Sequence, residues 1–330
     1  VSGDAPRASE DGLIARYFAP LAGPGADGMR DDAATLTPSP GCDLVLTADA
    51  VVAGVHYFPD DPPASIARKA LGVNLSDLAA KGATPRGFLL TLALPDDWTE
   101  VWLAAFTGGL AEASAEAGCP LLGGDTVRSG GPALIGVTAF GEVPAGGMVR
   151  RTTARIGDRL CVSGTIGDAA LGLRLRADPA WASALDGARR DHLADRYLHP
   201  RPRLGLAPLL RTYARAAMDV SDGFAGDLAK MLGDGRGALV EMGAIPMSPA
   251  AVAAIAQEPD LIGTALTGGD DYEVLCAVPP GALDAFLAEA AATGIPMTAV
   301  GTVVSGGGPA VFALADGTRR TFAAASFSHF

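Results

Sequence analysis

The chain has 330 residues, 49% of them apolar and 19% charged, a composition that suits a folded globular protein and is long for one hydrophobic core but comfortable for two. Its formal net charge of −12, with lysine at positions 69, 81 and 230 alone, excludes the broad basic face that nucleic acid or an anionic membrane surface requires. No apolar run reaches the roughly 18 residues of a membrane span, and the start Val1-Ser-Gly-Asp-Ala-Pro lacks a basic-then-apolar signal pattern, so a cytoplasmic protein is expected.

In chain order, Ser9 is placed to cap a short helix running to Phe18, where Leu13, Ile14, Tyr17 and Phe18 fall at helical spacing. Asp43-Leu-Val-Leu-Thr-Ala-Asp49 reads as a strand ending on a carboxylate, and residues 64–82 as a helix burying Ile66, Ala70, Leu71, Leu75 and Leu78. A strand over 87–94, an alanine-rich helix over 100–117, a short strand over 120–122 and a strand over 132–143 follow. Pro144-Ala-Gly-Gly has the composition of a turn, and the pattern restarts with the strand Asp158-Arg-Leu-Cys-Val-Ser163. The domain boundary is therefore placed near residues 144–157, giving domains 1–150 and 151–330. The second domain carries strands over 216–220 and 273–278, helices over 223–232 and 283–292, and a surface loop over 305–309. An α+β (mixed α/β) fold of two domains is indicated. Cys42, Cys119, Cys161 and Cys276 are widely spaced with no C-x-x-C pair, which suits free thiols in a reducing compartment.

Common nucleotide and hydrolase motifs are missing. There is no G-x-x-x-x-G-K-[ST], no G-x-S-x-G and no H-E-x-x-H, and the four histidines give little support to a zinc site or a hydrolase triad. Gly23, Gly25 and Gly28 match G-x-G-x-x-G, but they follow a helix and enclose Pro24, whereas a dinucleotide fingerprint follows a strand and opens a helix.

What stands out is a set of carboxylates flanked by Gly, Ser and Thr: Asp31-Asp32, Thr47-Ala-Asp49, Asn74-Leu-Ser-Asp77, Gly123-Gly-Asp-Thr126, Asp219-Val-Ser-Asp-Gly223 and Gly268-Gly-Asp-Asp-Tyr-Glu273. Each has an ordinary reading. Asp49 can be a strand-end turn residue, Asp77 can pair with Lys81, Ser221 or Asp222 can cap the next helix, and each Gly-Gly-Asp can be a turn. Asn74 and Asp77, three apart, share one helix face in either case. Six such clusters at the ends of apolar segments are economically explained by convergence on one site, where oxygen ligands suit magnesium and glycines let the backbone approach phosphate.

At these clusters, and over nearly its whole length, the chain resembles the thiamine-monophosphate kinase family, in the superfamily that includes aminoimidazole ribonucleotide synthetase, selenophosphate synthetase and a hydrogenase maturation factor. The resemblance is carried by Asp49-Ala-Val-Val-Ala-Gly-Val-His-Tyr-Phe58, Ala70-Leu-Gly-Val-Asn-Leu-Ser-Asp-Leu-Ala-Ala-Lys-Gly-Ala83, Gly123-Gly-Asp-Thr-Val-Arg128, Asp219-Val-Ser-Asp-Gly223 and Gly268-Gly-Asp-Asp-Tyr-Glu273. It implies an aminoimidazole-ribonucleotide-synthetase-like architecture: an N-terminal α/β domain binding ATP and magnesium and pairing through its sheet in a homodimer, and a C-terminal α/β domain helping to enclose the acceptor and phosphates. It implies transfer of the γ-phosphoryl of ATP to thiamine monophosphate, with several magnesium ions. Asp31, Thr47, Asp49, Asp77, Asp125, Asp219 and Asp222 match magnesium-ligand positions, and Ala48 replaces a hydroxyl residue, leaving its backbone carbonyl or a water as the ligand. Gly124, Asp125, Arg151 and Ser221 match ATP-contacting positions, and His56, Glu273 and Phe327 match the acceptor site. No residue is assigned as a catalytic acid or base. Where the family reads Gly-Asp-Asp this chain has Arg30-Asp31-Asp32, a side chain in place of a glycine. The rival readings are the ATP-dependent cyclo-ligase of the same superfamily and a catalytically silent nucleotide-binding protein.

Overall fold

Alternating burial along the first strands builds a sheet with one packed and one open face. In the computed structural model, which describes residues 9–322, two units separate: unit 1 takes the chain to Leu78 together with Thr84–Gly146, and unit 2 takes Ala79–Ala83 with the chain from Gly147. Unit 1 holds β1 (Cys42–Val52), β2 (Thr84–Leu94), β3 (Leu121–Arg128) and β4 (Leu134–Pro144), ordered β1-β4-β2-β3 with only β2 and β3 parallel. On β2, Phe88, Leu90, Leu92 and Leu94 are buried, while Leu89 between them is 37% exposed, the period of two that a half-covered sheet requires.

Among the described residues, unit 1 carries the helices α1 (Glu10–Leu13), α2 (Pro63–Ala80), whose last two residues belong to unit 2, and α3 (Glu100–Ala117). Ser9 caps α1 as expected, its hydroxyl accepting from the Gly12 N–H at 3.2 Å, and the chain continues as a π-helical turn through Phe18. Thr99 caps α3 in the same way, and Gly118 ends it in the left-handed conformation. One expectation is corrected. Gly123-Gly-Asp is not a turn but the middle of β3, paired in parallel with β2. A side chain at Gly124 would collide with the Leu90 carbonyl, so here glycine serves close strand approach rather than chain reversal.

Unit 2 contains strands β5 (Arg159–Ser163), β6 (Ala216–Val220), β7 (Arg236–Glu241), β8 (Glu273–Val278), β9 (Met297–Ser305), β10 (Val311–Ala313) and β11 (Arg319–Arg320), in the order β11-β10-β7-β9-β5-β8-β6. Its helices are α4 (Asp168–Leu175), α5 (Gly187–Leu198), α6 (Ala207–Tyr213), α7 (Phe224–Leu232), α8 (Pro249–Gln257), α9 (Leu261–Thr267) and α10 (Leu283–Ala292). One core packs Phe224, Leu228 and Met231 of α7 with Leu160, Val162, Met218 and Leu275 of the sheet. A second packs Leu210, Phe286 and Ala290 with Cys161, Ala217, Val274 and Cys276. Coverage on both faces explains why β6 and β8 are buried at every residue. Cys161 and Cys276 face each other across β5 and β8 as buried free thiols. No helix among the described residues is long and apolar enough to cross a membrane.

Candidate active site

In unit 1 the expected acidic positions separate into two groups. The first joins β1 to α2: the Thr47 hydroxyl donates to Asp77 Oδ2 at 2.5 Å, and the Asp49 N–H donates to Asn74 Oδ1 at 3.0 Å. Asn74 and Asp77 thus share one helix face, as their spacing requires, and Asn74 is held in turn by its own Nδ2 donating to the Ala70 carbonyl at 3.1 Å. The register Thr47–Ala139–Phe88 and Asp49–Val137–Leu90 puts this group on the packed face of the sheet. Ala48 pairs with Thr138 and points its methyl to the other face, so only its main chain is available beside Thr47 and Asp49.

The second group lies on the open face. Ala50, Gly136, Thr91 and Asp125 form one row across the four strands, which turns the Asp125 carboxylate away from Asp49. Above that face opens a cavity of about 780 Å³ whose walls include Asp31, Asp32, Thr91, Gly124 and Asp125, with Phe18 and Phe140 among its apolar members. Asp31 is exposed, and its Oδ1 accepts from the Asp32 N–H at 2.7 Å. Arg30 turns back onto Asp27, donating to its carbonyl at 3.1 Å and its carboxylate at 3.2 Å. Its backbone, φ −108° and ψ −7°, is open to any residue, so replacing a glycine here imposes no strain.

His56 sits on the turn after β1. Its Nδ1 accepts from the Val52 N–H at 3.1 Å, which places the ring proton of the neutral imidazole on Nε2. The neighbouring Tyr57 is buried, its hydroxyl has no hydrogen-bond partner among the described residues, and burial pushes its pKa up to about 12.

In unit 2 the two remaining clusters are docked on each other. The Asp270 N–H donates to the Ser221 carbonyl at 2.9 Å and the Tyr272 N–H to the Val220 carbonyl at 2.8 Å. Contact is close enough that a Cβ on Gly223 would lie 2.6 Å from the Thr267 carbonyl, and one on Gly269 would strike the Ser221 oxygen. Asp219 is buried within β6. Neither Ser221 nor Asp222 caps α7, whose N-cap is Gly223. Asp222 instead takes an ion pair from Lys230 Nζ at 2.5 Å, and its N–H donates to the buried Asp227, which also holds Lys230 at 2.9 Å. Burial raises the Asp227 pKa against the pull of Lys230.

Glu273, expected at the acceptor site, is 0% exposed, and its two carboxylate oxygens accept from Ser163, Arg196 and Arg203. Arg151 is exposed at the start of unit 2, and Phe327 lies outside the described residues. The sequence reading did not reach Lys230, Asp227, Arg196 or Arg203. Lys230 had a usable signal, since it stands at helical spacing from Asp227.

Among the described residues, no three His, Cys, Asp or Glu side chains stand together as a ready metal cluster, and the expected groups of unit 1 lie on the two faces of its sheet. The donor chemistry nevertheless fits a hard divalent cation. Thr47 and Asp77 already bring a hydroxyl and a carboxylate oxygen to one point, with no sulfur or imidazole among the donors there.

Comparison with known proteins agrees with this architecture. Residues 30–143 match the family model described as AIR synthase related protein, N-terminal domain, and residues 155–313 its C-terminal counterpart. A protein from Caulobacter vibrioides named thiamine-monophosphate kinase is 41% identical over 305 residues, covering 91% of this chain and 85% of the relative. The crystal structure of thiamine-monophosphate kinase from Stenotrophomonas maltophilia superposes with a TM-score of 0.77 at 38% identity, covering 88% of this chain and 90% of the other. A structure described as AaThiL complexed with AMPPCP and TMP gives 0.76 at 27% identity, covering 99% and 100%. By the length and level of these matches, the chain belongs to the thiamine-monophosphate kinase family of AIR synthase related proteins.

Proposed function

We propose that the protein is an ATP- and magnesium-dependent kinase that transfers the γ-phosphoryl of ATP directly to the phosphate of thiamine monophosphate, giving thiamine diphosphate and ADP. The observation that carries the reading is the family match over both units, joined to a cavity in unit 1 that gathers Asp31, Gly124 and Asp125 on its walls. The solved relative with AMPPCP and TMP supports the choice of substrates.

The acceptor is itself a phosphate monoester, largely ionised near neutral pH because its second pKa is about 6. It needs no strong base to become a nucleophile. The difficulty is bringing two polyanions together. Magnesium, when bound, neutralises phosphate charge and aligns the terminal phosphoryl group for in-line displacement. Asp31, Thr47, Asp49, Asp77, Asp125 and the Ala48 carbonyl of unit 1, and Asp219 and Asp222 of unit 2, are the groups proposed to hold several such ions, those of unit 1 being divided between the two faces of its sheet. Asn74 fixes the β1 backbone at Asp49, and the Thr47 hydroxyl orients the Asp77 carboxylate before any ligand arrives. Gly124, Asp125, Arg151 and Ser221 are proposed to contact ATP. His56, Glu273 and Phe327 are proposed to contact the acceptor, the aromatic ring of Phe327 offering a face to the cationic thiazolium.

A second copy of the chain is the proposed partner. The open face of the unit 1 sheet exposes Leu46 (60%), Leu89 (37%) and Val127 (44%), and such a surface favours a homodimer. A cytoplasmic setting suits the four free thiols.

The deciding experiment incubates the protein with ATP, magnesium and thiamine monophosphate and resolves the products. Thiamine diphosphate and ADP in equal amounts are expected. ATP binding without product would favour a silent binder, and turnover of a purine precursor in place of thiamine monophosphate would favour the cyclo-ligase.

A further inference from the structure

The loop between α9 and β8 keeps an unfavourable shape. Asp270 and Tyr272 stand at φ 75° and 51°, in the left-handed region that side-chain-bearing residues avoid. Two such residues flanking one position persist only where the surroundings over-determine the backbone. The docking of this loop on Ser221 and Val220 through the Asp270 and Tyr272 amides supplies part of that constraint.

The rest comes from beneath. Asp271, between the two strained residues, is fully buried and accepts from the Gly167 N–H at 2.7 Å and the Ala169 N–H at 3.3 Å, at the start of α4. Its main-chain carbonyl accepts from Arg196 Nη2 at 3.1 Å. The same Nη2 donates to Glu273 Oε1 at 2.9 Å. Arg203 forks onto both Glu273 oxygens, Nε to Oε2 at 2.7 Å and Nη2 to Oε1 at 2.5 Å, and the Ser163 hydroxyl completes the set at 2.5 Å. Ser163 in turn accepts from the Val274 N–H at 2.8 Å, which closes the network on the first residues of β8.

Two guanidinium groups committed to one carboxylate of zero exposure are a costly arrangement for stability alone, since desolvating ions consumes much of what their attraction returns. Arg196 is itself 2% exposed, and its Nη1 has no hydrogen-bond partner among the described residues. The cluster is better explained by the shape it fixes, because every bond in it ends on Asp271, on Glu273 or on the start of β8.

We infer that Arg196 and Arg203 are positioning residues for the acceptor: through Glu273 and the Asp271 carbonyl they hold Asp270 and Tyr272 in their left-handed conformations, presetting loop 268–272 to receive thiamine monophosphate. This rests on the kinase reading above, in which Glu273, directly after the loop, is a proposed acceptor contact. Neither arginine touches substrate in this scheme.

The test measures Arg203→Met and Arg203→Lys beside the wild-type protein, by steady-state kinetics and by amide hydrogen exchange at residues 270 and 272. In Arg203→Met, KM for thiamine monophosphate rises about tenfold while KM for ATP stays within about twofold, and protection of the two amides falls by a similar factor. Arg203→Lys, which keeps the charge but loses the fork, recovers part of both effects. If Arg203→Met does not fold, Arg203→Lys and Ser163→Ala carry the same comparison, each expected to move exchange and acceptor KM together by a few-fold. Unchanged exchange at 270 and 272 overturns the inference, and so does an equal rise in both KM values. Loss of protection in the variants of a wild-type protein that makes no thiamine diphosphate would leave the clamp standing and remove its assignment to this acceptor, since exchange is read without turnover.

Discussion

The Thr47 hydroxyl and the Asp77 carboxylate meet at 2.5 Å, tying the middle of the first strand to the last turn of the helix that follows it. This hydrogen bond restricts the Asp77 carboxylate to one direction. Beside it, Asn74 anchors the Asp49 amide, so two alternate positions on the packed face of the strand are tied to one helix face.

Asp77→Asn therefore keeps the hydrogen bond from Thr47, through the amide oxygen, and removes only the charge. Phosphoryl transfer is expected to fall by a few hundredfold, equivalent to about 3–4 kcal/mol of barrier, as loss of one preorganised electrostatic group does. Thermal unfolding should shift little. Turnover unchanged in saturating magnesium would show that Asp77 has no part in the reaction.

Arg30 stands where the family carries glycine, and its backbone makes no demand for one. Its guanidinium, 77% exposed, is engaged with Asp27. Exposed pairs of this kind contribute roughly 0–1 kcal/mol. Arg30→Gly should leave turnover within about threefold and lower stability by no more than about 1 kcal/mol. A tenfold rise in KM for ATP would instead identify the guanidinium as a phosphate contact.

The site was legible from the sequence where the chemistry is local. Asn74 and Asp77 read correctly because helical spacing fixes which residues share a face, and the Asp219–Gly223 and Gly268–Glu273 clusters stood out because glycine beside acid is informative wherever it occurs. Gly123-Gly-Asp misled for a physical reason: close strand pairing and chain reversal both demand residues without side chains, and only the neighbouring strand distinguishes them. The enclosure of Glu273 is not legible in the sequence either. Its partners lie 70, 77 and 110 residues away, and no window of sequence announces that two arginines and a serine will enclose it. The opposite facing of Asp49 and Asp125 likewise depends on a register that runs across four strands.

Tyr57 carries a buried hydroxyl with no partner among the described residues, so Tyr57→Phe removes a desolvated polar atom at little packing cost. The variant should match the wild type in stability near neutral pH or exceed it by about 1 kcal/mol. The pH dependence has a definite sign. Because the folded-state pKa is raised from 10.0 to about 12, the unfolded chain gives up this proton first, and the contribution to stability is full below pH 10 and lost as pH rises through about 12. Absorbance at about 295 nm, where phenolate absorbs, should show one late-titrating tyrosine that the variant lacks. Ionisation of that group near its ordinary value would mean that the hydroxyl reaches water.

The open face of the unit 1 sheet makes the last prediction. Leu46, Leu89 and Val127 project from three of its four strands, and an apolar surface of this kind is covered in most soluble proteins. A stable interface buries about 800 Å² on each partner, and a twofold arrangement presents each exposed leucine to the same patch on the second copy. Leu46→Glu places a charge at the most exposed of these positions and, in a dimer, places two charges in one interface. Sedimentation should give a dimer for the wild-type chain and a monomer for Leu46→Glu at micromolar concentration. Leu173→Glu, at a leucine 45% exposed on unit 2, serves as the control and should remain dimeric. A wild-type monomer, or a Leu46→Glu variant that sediments as the wild type does, would exclude this face as the contact between copies.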